Sequence, residues 1–208
     1  MPIHPSLNHY EHTLANAVCY YFSNRNIPYT FRCVNRLDKN TTGLTIVAKH
    51  MLSSAILSQS VASKTIKREY LAIVAGETKD FGTIDAPIAR KDSSTIERCI
   101  NYETGERAVT HYRKLDRKNG YTLLSLILET GRTHQIRVHM ASLGHPILGD
   151  MVYGRKKPEL GQDSQVLHAG VLCFRHPRDE RLVIVNAELP EYFRDVLDTL
   201  EKRFSYED

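Results

Sequence analysis

The sequence predicts a mixed α+β domain, with a large, mainly antiparallel central sheet and flanking helices. Three observations carry this. Strand-like runs recur at residues 44–48, 67–76, 108–113 and 121–129, amphipathic stretches with helical spacing lie at 14–22, 50–62, 132–143 and 189–204, and Gly, Asn and Thr turn signals separate the two kinds. At 208 residues the chain is expected to be one domain, 1–208, with a substantial core. A hydrophobic content of 41% and a charged content of 25% are ordinary for a soluble globular protein. No apolar run approaches the length of a bilayer span and nothing at the start reads as a signal peptide, so a cytoplasmic protein without membrane contact is expected. Cysteines 19, 33, 99 and 173 lie far apart without metal-type pairing, and reduced, mostly buried thiols are expected.

Residues 14–22 place Leu14, Ala17, Val18 and Tyr21 at helical spacing, with Thr13 as N-cap. Next comes Arg36-Leu37-Asp38. In an extended segment, side chains two apart share a face, so Arg36 and Asp38 point one way while Leu37 points into the core. Lys39 to Gly43 supplies turn chemistry, and residues 44–48 are apolar and β-branched, which suits a buried strand. Taken alone, an Arg-x-Asp triplet is most often a surface ion pair. Residues 50–62 read as a second helix, with Leu52, Ala55, Ile56, Gln59 and Val61 on its face and Ser53 or Ser54 as cap. The run 67–76 is a strand ended by Gly76, with Tyr70, Ala72 and Val74 on one face.

The polar stretch 91–107 reads as an exposed hairpin turning at Thr104-Gly105, and 121–129 as a central strand. Gly131 ends that strand. Thr133 then caps a helix running through Ile136, Val138 or Met140, and Leu143 to Gly144. A helix N-terminus carrying Arg132, His134 and Arg137 suits a phosphate or a carboxylate. His134 and His139, five apart, sit about 140° apart on a helix and do not make the one-face pair of a zinc helix, so no metal site is expected. Asp150 reads as a turn or capping residue. Arg155-Lys156-Lys157, in a Gly/Pro-rich loop, is the best candidate for phosphate contact among several basic clusters. The closing helix, 189–204, carries Glu191, Asp195, Asp198 and Glu201 and is expected to face away from a polyanion.

The string Arg-Leu-Asp-x-x-Thr-Thr-Gly-Leu-x-x-x-Ala-Lys at 36–49 resembles the catalytic motif of the RluA-type pseudouridine synthases. Tyr-x-Ala-x-Val-x-Gly at 70–76, preceded by Lys67-Arg68, resembles the family's Lys-x-Tyr-x-Ala-x-Val-x-Gly. Ala-x-Thr-x-Tyr at 108–112, Gly-Arg-Thr-His-Gln-Ile-Arg-Val-His at 131–139 and Gly-His-Pro-Ile-Leu-Gly-Asp at 144–150 resemble further segments of that family, in order, up to about Pro190. Two departures stand out: Asn35 where members mostly carry His, and Thr42 where they carry Ser. The resemblance implies the pseudouridine synthase fold with an RNA-binding cleft across the sheet. It makes Asp38 the catalytic carboxylate, implicates Arg36 in flipping out the target nucleotide, packs Tyr70 against the target base, and pairs Arg132 with Asp38. His134 and Arg137 join Arg36 as expected RNA contacts. The start, Pro-Ile-His-Pro-Ser, resembles the end of an early family motif, so the chain is expected to lack the family's first strand and any S4 module.

The implied reaction isomerises uridine to pseudouridine in structured RNA, ribosomal or transfer, with a lean toward large-subunit ribosomal RNA. No cofactor or metal is expected, and a monomer is the family default. Asp38 could attack C6 of the base, attack C1′ of the ribose, or remove the 2′ proton. Two other readings stand beside this one. The first is an RNA-binding assembly factor that has lost catalysis, which replacement of Asp38, Tyr70 or Arg132 would mark; all three are present. The second is a nucleoside hydrolase that uses Asp38 with water and releases uracil.

Overall fold

The computed structural model describes residues 1–5 and 10–202. Its elements, in chain order, are α1 (Leu14–Ser23), β1 (Thr42–Gly43), α2 (Met51–Ala62), β2 (Lys67–Ala75), β3 (Phe81–Asp85), β4 (Ile88–Arg90) and β5 (Arg98–Ile100). They continue with β6 (Val109–Lys118), β7 (Tyr121–Leu128), α3 (Gln135–Ser142), β8 (Leu167–Arg175), β9 (Leu182–Asn186) and α4 (Glu191–Lys202). Seven strands form one sheet in the order β1-β8-β2-β7-β6-β3, with β9 also pairing β8; β4 and β5 make a separate hairpin. Every pairing in the large sheet is antiparallel except the short β1–β8 contact. The α+β class and the mainly antiparallel sheet read from the sequence are both present.

The alternation of β2 decides how the sheet is covered. Tyr70, Ala72 and Val74 join Leu124 and Leu126 of β7 in a core closed by Ile136 and Met140 of α3. Ile73 faces the other way, into a core with Leu148, Val166 and the Phe193, Val196 and Leu200 stripe of α4. Strand side chains alternate between faces, so one strand feeds both layers. The apolar stripe of α4 is buried while Glu191, Asp195, Asp198 and Glu201 are exposed, as its periodicity predicts; residues 203 and 204 of the expected helix lie outside the described residues.

Several details differ from the sequence expectations. On α1 the cap holds, since Thr13 Oγ1 accepts from the Asn16 amide at 3.2 Å. The buried face, however, is Ala15 and Phe22, while Ala17 and Tyr21 are exposed. Phe22 stacks on Tyr29 at 4.2 Å, and this turns the helix. On α2 only Leu57 is fully buried, Leu52 is 72% exposed, and neither Ser53 nor Ser54 caps, because the N-cap is His50. Residues 44–48 form no regular strand. They cross-bridge 32–34 instead, through Val34 N–H to Ile46 O at 2.9 Å and Ala48 N–H to Arg32 O at 2.8 Å. The hairpin connects at 91–97; Thr104-Gly105 belongs to a second turn, closed by Gly105 N–H on Asn101 O at 3.0 Å.

Gly43 fixes the 35–44 loop to the sheet. Its φ is +110°, and an added Cβ would lie 2.2 Å from the Ala169 carbonyl oxygen. A side chain here meets both backbone strain and a collision with β8. Gly43→Ala is expected to lower stability by about 2–4 kcal/mol, read as a lower urea midpoint with an unchanged m-value.

Candidate active site

The loop that begins at Asn35 is braced from within. Asn35 Oδ1 accepts from the Ile46 amide at 2.8 Å, its carbonyl accepts from Thr45 Oγ1 at 2.6 Å, and Thr41 N–H closes a turn on the Asp38 carbonyl at 2.9 Å. Gly43 and Leu44 then run against Ala169. Leu37 packs against the main core, so Arg36 and Asp38 project together into a cleft of about 890 Å³. The side chain of Asp38 is 23% exposed at its floor, and Arg36 is exposed at its rim.

A second arm delivers the cation beneath Asp38. After β7, Gln135 ties the turn that precedes α3: its Oε1 accepts from Thr130 Oγ1 at 2.7 Å and from the Arg132 amide at 3.0 Å. His134 holds a left-handed conformation, φ +57°, and α3 starts only at Gln135, so Thr133 does not cap it. That conformation is costly for a non-glycine residue. The His134 imidazole is steadied by the Tyr153 hydroxyl at 2.8 Å, and burial pushes its pKa down against the pull of the Asp38 charge.

One turn into α3, Arg137 is buried and forked onto Asp150: Nε donates to Oδ2 at 2.7 Å and Nη2 donates to Oδ1 at 2.9 Å. Its remaining nitrogen, Nη1, lies 3.8 Å from Asp38 Oδ2. Asp150 does act in its own turn, accepting from the Val152 and Tyr153 amides at 2.9 and 3.1 Å. It is also the anchor of Arg137, a role its sequence position did not suggest. Burial works against the Asp150 charge, but the hydrogen bonds and charge of Arg137 outweigh it and hold the carboxyl below its usual range.

This corrects two expectations. Arg132 does not pair with Asp38. It forms an ion pair with Glu106, and its Nε donates to the Arg107 carbonyl at 3.1 Å, because the helix begins at Gln135, one residue later than a Thr133 cap implies, and leaves Arg132 in the turn. Arg137 is not an outward RNA contact, since burial and the Asp150 fork hold it under Asp38. His134 is half-buried against Tyr153, and neither it nor Arg155, Lys156 and Lys157 lines the cleft. Those three basic residues are exposed, and Arg155 pairs with Glu159 at 2.8 Å.

Tyr70 lines a recess off the cleft with Asp38, Leu128, Ile136 and Leu167. Its ring is 5% exposed, and its hydroxyl has no hydrogen-bond partner among the described residues. Burial pushes the phenol up, Arg68 opposes this, and Asp38 adds to it. At neutral pH the group is therefore a neutral phenol. The recess is mixed in character, with Leu128, Ile136, Leu167 and the Tyr70 ring beside Arg36, Arg68, Arg132 and the single carboxylate of Asp38, a lining that can take a planar heterocycle together with an attached anionic group.

The family model described as RNA pseudouridylate synthase matches residues 1–142. An uncharacterised RNA pseudouridine synthase of Bacillus subtilis, YjbO, is 40% identical over 188 residues, covering 90% of this chain and 65% of that one. The ribosomal large subunit pseudouridine synthase D of Zymomonas mobilis is 41% identical over 203 residues, covering 92% of this chain and 64% of that one. The chain thus spans a little under two thirds of the length of these curated relatives. Among solved structures, human RNA pseudouridylate synthase domain containing 4 superposes with a TM-score of 0.75 at 23% identity, covering 97% of this chain and 86% of that one. At that identity the likeness speaks for the fold.

Cutting the Arg137–Asp150 fork on one side leaves a buried charge unpaired. Asp150→Ala is expected to cost about 3–5 kcal/mol in urea unfolding, and replacing both partners by Met and Leu should recover most of it. The folded pKa of Asp150 lies below its unfolded value, so its stabilisation is complete above the unfolded value and fades as pH falls through the folded one. Asp150→Asn should accordingly flatten the loss of stability below about pH 4, measured by urea midpoints across an acid series.

Proposed function

Because the chain belongs to the RNA pseudouridylate synthase family, we propose that it isomerises uridine to pseudouridine in RNA, with Asp38 as the catalytic carboxylate. The observation that carries this is the placement of Asp38: partly exposed at the floor of a basic cleft, with Arg137 Nη1 at 3.8 Å, facing a recess walled by Tyr70. A uridine reaches that recess only by leaving its stack, at a cost of a few kcal/mol in a duplex and less in a loop. Arg36, exposed beside Asp38, fills the vacated position and meets phosphate.

Asp38 then acts at the nucleoside. The N1–C1′ bond breaks, the uracil turns while held against Tyr70, and C5 bonds to C1′. The C5 proton leaves and N1 gains one, so atoms balance with nothing oxidised and nothing hydrolysed. Arg137 keeps a fixed positive charge below the carboxylate. Tyr70, held as a neutral phenol, serves as the packing plane for the base. Arg132, at the cleft wall, is a contact for RNA, and Arg155, Lys156 and Lys157 extend a phosphate-gripping surface beyond the cleft. The RNA is large-subunit ribosomal RNA, a reading supported by relatives named as ribosomal large subunit pseudouridine synthase D.

Pseudouridine formed in ribosomal and transfer RNA transcripts tests this. Asp38→Ala is expected to lower the single-turnover rate by about 10³-fold or more while RNA affinity is kept. Arg132→Ala is expected to raise KM with kcat changed less than about tenfold. Equal product from wild type and Asp38→Ala would sink the assignment; no product from either, with RNA still bound, would point to a binding factor instead.

A further inference from the structure

A buried cation lining the cleft has no ion-pair partner among the described residues. Arg68, on β2, is only 7% exposed, and its Nε is buried with no hydrogen-bond partner. Its guanidinium makes a single long bond, from Nη2 to the Thr130 carbonyl at 3.5 Å, and forms no ion pair among the described residues. The acids nearest in sequence and across the strand pair are committed elsewhere. Glu69, on the opposite face, accepts from Ser125 Oγ at 2.6 Å, and Glu129 is held by Lys64 and His111, each at 2.9 Å.

The guanidinium also has a shaped seat. The backbone of Gly131 lies against it, and a Cβ there would sit 3.0 Å from Nη1 and 3.4 Å from Nη2. Arg68 reaches both the Tyr70 recess and the outer cleft. With Nε closed off, only the two Nη groups are available to a ligand. A buried, unpaired guanidinium is unfavourable in the free protein, and the partner that relieves it must bring a full negative charge.

We propose that Arg68 binds a backbone phosphate of the nucleotide drawn into the cleft and so sets where the ribose stands above Asp38. This rests on reading the cleft as a uridine-isomerising site and adds to it a substrate-positioning cation. A uracil carbonyl offers only a dipole, whereas a phosphodiester offers a formal charge in the geometry a guanidinium fork matches. Every group on the uracil edge is neutral, so the phosphate is the part of the nucleotide whose charge matches Arg68.

Arg68→Met keeps the length of the side chain and removes its charge. The test measures affinity for ribosomal and transfer RNA transcripts across a salt series, single-turnover pseudouridine formation, and Tm, for the wild type, Arg68→Met, Arg68→Lys and Asp38→Ala. The proposal expects about 10- to 100-fold weaker RNA binding for Arg68→Met and a slope of log affinity against log salt shallower by about 0.7. It also expects partial rescue by Arg68→Lys and an unchanged or raised Tm for Arg68→Met. A slope and affinity equal to wild type overturn the phosphate contact, even if product formation falls. A lowered Tm with no rescue by lysine overturns it in favour of a structural role. Product from Asp38→Ala at the wild-type rate would count against the parent reading instead, and the salt slope would still decide the contact at Arg68.

Discussion

The floor of the cleft hangs from one interaction, the fork between Arg137 and Asp150. Both are buried, and each satisfies the other through two hydrogen bonds at 2.7 and 2.9 Å. A lone buried ion of either sign costs several kcal/mol, about what the paired geometry must offset. Asp150 therefore fixes the guanidinium plane, and with the plane fixed the third nitrogen can only face Asp38. Replacing such a fork with apolar residues is often neutral for stability, so its presence speaks for a role in aiming charge.

Two covalently distant segments must meet for that aim to matter. Asp38 comes from a loop sewn to β8 through Gly43 and Ala169 and braced by the side chain of Asn35. Arg137 comes from a helix seated on β2 and β7 through Ile136 and Met140. The sheet is the ruler between them, and its own rigidity comes from cover on both faces, α3 on one side and α4 on the other. Thr42 adds a tie to the second layer, with the Tyr192 hydroxyl and His168 Nδ1 both at 2.9 Å from its Oγ1. Displacement of either layer moves the carboxylate relative to its cation.

The class of fold was legible because strand alternation and helix periodicity are local signals; β2, β7 and α4 appear where their patterns place them. Which face α1 and α2 bury was not legible. Weakly amphipathic helices are turned by their neighbours, as Phe22 is by Tyr29. In the site, Asp38, Arg36 and Tyr70 were legible from motifs and are brought together. The partner of Asp38 was not, for the motif holds two arginines five apart, and which one faces inward depends on where α3 starts. The left-handed turn at His134 delays that start and selects Arg137. Asp150 and Arg68 were hidden for a related reason: one read as a turn residue and the other as one more residue of the 67–76 strand, and only the packing shows that one is paired in the interior and the other has no ion-pair partner among the described residues.

A fixed charge pair under a solvent-reachable carboxylate, beside the recess at Tyr70, is the arrangement on which the proposed rearrangement of a nucleoside rests. The most direct measurement is a product balance on transcripts labelled in the uracil ring, counting uridine lost, pseudouridine gained and uracil released over a single turnover. The account predicts that pseudouridine equals the uridine lost and that no uracil leaves the RNA. Release of free uracil in step with uridine loss would contradict it, and would make the carboxylate the base of a hydrolase instead.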